Sequence, residues 1–301
     1  MGAHREGTMN RAIVAFITIA YGLSATLSGV IWATGGHESG LVGLGFISML
    51  FPALAAVTVK LSMGEGLETI DWGRFPVRYL PAALLLMPVV MHAAMLPTTY
   101  ALESRLPWQE WLSPQPDGLR HAPTELGWGV LSEGDLITRI ALNAGIGLVV
   151  VSVLAFFEEV GWRAWLLPRL TKRMGVAQAI LATSVVWALW HVPFTLSGIQ
   201  YIEGMSPVLT ALVMPVGQLG AGMILGCLWL RTESVVLVSL SHGALNNWGQ
   251  FAFKFMTTSG SDDWLILLVG NLALLLVGGL LIASLPASAR HKDEITVIAN
   301  A

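Results

Sequence analysis

The chain has 301 residues, of which 54% are hydrophobic and only 12% charged, and its formal net charge is -3. A soluble domain carries about 25% charged residues, so the composition excludes an ordinary soluble globule and points to a chain whose solvent is lipid. No basic block offers a surface for nucleic acid, and the single cysteine, Cys227, lies in an apolar run, so it forms no intrachain disulfide and reads as a packing residue.

A helix that crosses the ~30 Å hydrocarbon core needs about 20 mostly apolar residues. Eight segments meet that template, at roughly 11–34, 40–60, 79–101, 141–169, 175–197, 207–230, 234–254 and 263–285. Arg5 and Arg11 precede the first as they would in a signal peptide, but its length and the spans that follow identify a retained helix. The expected fold is all-α, a polytopic bundle of about eight transmembrane helices forming one membrane domain over 1–301. Most of the 12 Trp fall near the ends of apolar runs, where belts at the headgroup level are expected.

The pattern fails between 102 and 138. Glu103, Glu110, Asp117, Glu125, Glu133 and Asp135 accumulate there beside Trp108, Trp111 and Trp128, with Pro114 and Pro116 as breakers. This predicts an extracytoplasmic loop with an interfacial helix. Lys and Arg divide unequally between the two sides. Arg5, Arg11, Lys60, Arg74, Arg78, Arg163, Arg169, Lys172, Arg173, Arg231, Arg290 and Lys292 share one side, and only Arg105, Arg120, Arg139 and Lys254 the other. The positive-inside rule then places both termini in the cytoplasm.

Charge inside a membrane helix is costly, so ionisable residues there are functional candidates by default. The fourth span contains Glu158, Glu159 and Arg163. Glu159 and Arg163 are four apart and face each other on a helix, while Glu158 is turned about 100 degrees away. Glu158 is thus left as a candidate general base, against the plainer alternative of one structural ion cluster. The fifth span brings Trp187 and His191 to one face, followed by Pro193. His242 and Asn246 are again four apart in the seventh, with Gly243 between them permitting close approach by another backbone. His92 and Asn271, isolated in other spans, read as interhelical hydrogen bonds.

The ordered patterns EExxxR (Glu158, Glu159, Arg163), aromatic-xxx-His (Trp187, His191) and HxxxN (His242, Asn246) resemble the CPBP family, the CAAX prenyl endopeptidases and bacteriocin-processing membrane enzymes. The resemblance covers 154–250, a CAAX-protease-like catalytic core. It departs in having Trp187 where many relatives have Phe, an exchange expected to keep an aromatic wall and to matter little. The resemblance implies a peptidase acting inside the bilayer on a peptide or membrane-protein tail. Glu158 with His191 would hold and deprotonate the attacking water, and His242 with Asn246 would stabilise the oxyanion. Glu159 and Arg163 would support them. It also implies a bacterial inner membrane as the setting.

Two schemes stand for the chemistry. Glu158, His191 and His242 offer three ligands to a zinc ion with a fourth position for water. Alternatively, glutamate-activated water needs no metal, and Asn246, a poor zinc ligand and a good oxyanion donor, favours that scheme. There is no HExxH, no GxSG with a partner histidine, and no Asp away from the end of a span, which sets aside other intramembrane protease chemistries. A proton- or ion-coupled transporter would use the same buried groups as a relay, but it lacks a visible inverted repeat and a role for Asn246. A noncatalytic scaffold is the third reading. Depth poses a difficulty: at 1.5 Å per residue from the expected cytoplasmic ends, Glu158, His242 and His191 lie about 17, 13 and 25 Å deep.

Overall fold

A computed structural model describes residues 2–66, 73–103, 106, 116–121, 129–200, 205–249 and 263–286. Helix α1 runs over Gly2–Ala33, and a nine-residue 3-10 stretch, Val42–Leu50, leads into α2, Phe51–Ser62. Helix α3 is Leu80–Glu103, and α4 is one continuous span, Glu133–Thr171, interrupted by π turns at Asn143–Gly147 and Val160–Leu166. Then come α5, Val176–Trp190; α6, Val192–Leu196; α7, Pro207–Thr232; α8, Val235–Ala244, continuing into a π turn at Leu245–Gly249; and α9, Asp263–Ala283. Among the described residues, seven helices are long and apolar enough to cross a membrane. The chain is an integral membrane protein with an all-α polytopic bundle. The remaining expected span, at 234–254, is represented by α8 and its π turn, 235–249, beyond which the chain lies outside the described residues.

The fourth span starts earlier than its hydropathy indicates. Ser132 caps α4 by accepting the Asp135 backbone N–H at 3.1 Å, and its hydroxyl donates to the Asp135 carboxylate at 2.7 Å. The acidic residues assigned to the loop, Glu133 and Asp135, therefore form the first turn, where negative charge suits the helix N-terminus. Ahead of it, Arg120 pairs with Leu131 and His121 with Val130 in a two-residue antiparallel bridge. Trp108, Trp111, Trp128 and Pro114, on which the interfacial helix was expected, lie outside the described residues; Pro116 lies in a turn.

Small residues let the helices close on one another. Gly220 of α7 faces the backbone of Leu274 and Leu275 in α9, and Gly278 of α9 faces the Gly220 carbonyl, so these two helices pack with nothing between their backbones. Gly243 of α8 faces Ser152 of α4 in the same way, the close approach its sequence context predicts. A Cβ on Gly161 would fall 2.5 Å from Pro52 Cβ, which brings α2 against the second π turn of α4. The last two contacts bring α8 and α2 against α4.

Four of the tryptophans lie in the core instead of in interfacial belts. Trp162, Trp165, Trp187 and Trp190 are all buried in the bundle core, because α1 and the helices around them close over their rings. Phe16 of α1 stacks on Trp165 at 4.6 Å and meets Trp162 edge-on at 5.2 Å, and the Trp190 indole N–H donates to the Ala20 carbonyl at 3.3 Å. Helix α1 is a wall of the core, and Cys227 is buried packing as expected. Asn271 donates to the Val213 carbonyl of α7 at 3.1 Å, the anticipated interhelical bond. His92 does not behave that way: its Nδ1 pairs with the Pro88 carbonyl of its own helix at 2.6 Å, because a ring four residues on lies back over that turn.

Candidate active site

Glu158 and Glu159 close the α-helical part of α4 just before its second π turn, and Arg163 lies within that turn. All three side chains are buried. Arg163 Nη1 donates to Glu159 Oε1 at 2.9 Å and lies equally close to Oε2, while Nη2 donates to the Gly222 carbonyl of α7 at 3.3 Å. The pairing of residues four apart is the one helix geometry predicts. The Gly222 carbonyl is an acceptor that side-chain patterns cannot reveal. Its glycine allows it: a Cβ there would fall 2.8 Å from that of Ser184.

Glu158 turns the other way, toward α5. The Trp187 indole N–H donates to Glu158 Oε2 at 2.9 Å, and among the described residues Oε1 has no protein hydrogen-bond partner. The same indole meets His191 edge-on at 5.0 Å and His242 edge-on at 5.2 Å, and the Arg163 guanidinium stands over it at 4.9 Å. One tryptophan thus gathers Glu158, His191, His242 and Arg163 from α4, α5 and α8. Phenylalanine here would keep the aromatic wall but has no N–H for the carboxylate.

His191 occupies the joint between α5 and α6, where Pro193, in the first turn of α6, has no N–H to continue the ladder. Its ring folds back over the preceding turn, with Nδ1 against the Trp187 carbonyl at 2.8 Å. Since a carbonyl only accepts, Nδ1 carries the proton and Nε2 is the free acceptor of the neutral ring. Glu158, His191 and His242 meet around the Trp187 ring despite the different depths expected of them.

His242 Nδ1 lies 2.8 Å from Glu159 Oε1, so one carboxylate holds both Arg163 and His242. With Nδ1–H committed to Glu159, Nε2 is the atom that can face a reacting group. Asn246 follows one turn later in the π turn of α8, half-buried, with no side-chain hydrogen bond among the described residues.

Among the described residues no group of three His, Cys, Asp or Glu converges to hold a metal ion. Glu158, His191 and His242 stand around the Trp187 ring, and with both histidine Nδ1 atoms engaged, each Nε2 is the nitrogen left open to a ligand.

This geometry defines a class first: a polytopic helical protein with a carboxylate, a guanidinium and two imidazoles around one buried indole. Residues 140–248 match the family described as type II CAAX prenyl endopeptidase Rce1-like, consistent with the CPBP resemblance of the motifs. No curated protein matches the chain.

Proposed function

We propose that the protein is an intramembrane endopeptidase in which Glu158, assisted by His191, activates water. The gathering of Glu158, His191 and His242 around Trp187 supports this reading best, together with the Rce1-like match over 140–248. Glu158 takes a proton from water held between its free Oε1 and His191 Nε2. The hydroxide adds to the scissile carbonyl, and His242 Nε2–H and the Asn246 amide donate to the oxygen as it becomes negative. The tetrahedral adduct then collapses, the C–N bond breaks, and the proton held by Glu158 passes to the departing amine. The substrate is a peptide or membrane-protein tail, and the proposed setting is a bacterial inner membrane with both termini cytoplasmic.

The test is cleavage of a quenched fluorescent peptide library by detergent-purified protein. Asn246→Ala is expected to lower kcat about 100- to 1000-fold, the cost of one oxyanion donor. Cleavage that survives excess chelator supports the metal-free scheme, and loss of cleavage under chelator overturns it. A wild-type protein that cleaves nothing but dissipates a proton gradient in vesicles would replace the peptidase reading by the transporter.

Trp187→Phe is expected to lower turnover about tenfold or more, since it removes one hydrogen bond to a charged group worth about 1.5 kcal/mol. The ring contacts with His191 and His242 survive the exchange. Steady-state kinetics on the same peptide check this, and wild-type turnover in the variant would mean that the indole N–H does not hold Glu158 for catalysis.

A further inference from the structure

Two of the three π turns among the described residues lie against each other. Asn143–Gly147 in α4 faces Leu245–Gly249 at the end of α8, and the side chains of one close on the backbone of the other. Asn247 Nδ2 donates to the Asn143 carbonyl at 2.8 Å, and Trp248 Nε1 donates to the Ala144 carbonyl at 3.0 Å. A π turn widens the helical ladder, which opens room at its carbonyls for donors from outside. Asn247 is only 9% exposed, so in lipid no water replaces a bond that is lost.

Asn246 immediately precedes these two anchored residues, and its own side chain is tied to nothing described. On the other side, His242 is fixed by Glu159. The direction of the Asn246 amide is therefore set by the turn that carries it. We infer that Asn247, supported by Trp248, is a positioning residue that locks the π turn of α8 to that of α4 and so aims the Asn246 amide at the scissile carbonyl. The inference rests on the reading of Asn246 as an oxyanion donor. If the lock is released, the turn can relax toward α-helical register, which re-aims every side chain after Leu245.

The experiment measures kcat and KM for Asn247→Leu and Trp248→Phe in the full-length protein, with the folded fraction of each determined by thermal melting. Asn247→Leu is expected to lose about tenfold or more in kcat per folded molecule, with KM within about twofold of wild type. Trp248→Phe keeps the aromatic packing and should lose less in the same direction. Combining Asn247→Leu with Asn246→Ala should cost no more than Asn246→Ala alone, because the lock acts only through that amide. Additive losses, or unchanged kcat per folded molecule in both single variants, would overturn the positioning role. If Asn246→Ala cleaves like wild type, the oxyanion reading itself falls. If it is crippled while Asn247→Leu is fully active, the positioning role alone falls. Should Asn247→Leu fail to fold, Trp248→Phe carries the test.

Discussion

Replacing Glu158 by glutamine is expected to lower kcat for peptide cleavage about 100- to 10,000-fold, the range contributed by a positioned general base. The substitution is nearly isosteric, and its amide oxygen can still accept the Trp187 N–H that Glu158 accepts at 2.9 Å. The side chain therefore stays in place while losing its ability to take a proton. KM should change little, because the effect falls on the chemical step rather than on binding. A Glu158→Gln enzyme that turns over within a small factor of wild type would remove Glu158 from the mechanism.

The largest effect on stability is expected at Arg163. Its guanidinium is buried, bonds to Glu159 and Gly222, and lies over Trp187. Arg163→Met leaves the Glu159 carboxylate with too little compensating charge, and breaking a buried pair by removing one partner costs about 3–5 kcal/mol. Removing both charges, as Arg163→Met with Glu159→Gln, should restore part of that loss, since no isolated buried charge is then left. Thermal melting in detergent measures both. A double variant no more stable than Arg163→Met alone would contradict an electrostatic origin.

Most of the bundle is legible in the chain because a lipid-facing helix must be apolar over a full crossing, a signal about 20 residues long. The pairs within one helix are legible for a related reason: residues four apart share a face, which fixes Glu159 against Arg163. What spacing cannot convey is which side chain of one helix meets which of another. The bond between Glu159 and His242, 83 positions apart, is of that kind, as is the indole N–H on Glu158. The two π turns that face each other have no periodic signature at all, and only the adjacent pair Asn246 and Asn247 in an apolar run marks the place. The start of α4 was legible in principle, through Ser132 three residues before Asp135, but hydropathy alone reads that turn as loop.

The pairing of Glu159 with Arg163 also bears on biogenesis. At about 5–20 residues per second, His242 is synthesised roughly 4 to 17 s after Glu159. Throughout that interval the nascent fourth helix holds two carboxylates without the imidazole that later completes their surroundings. An arginine one turn away is available from the moment the helix forms, and it escorts Glu159 into the bilayer in the absence of the rest of the protein. A ribosome-bound chain that has not reached α8 therefore lacks both His242 and Asn246, and acquires the whole proposed set only when α8 arrives.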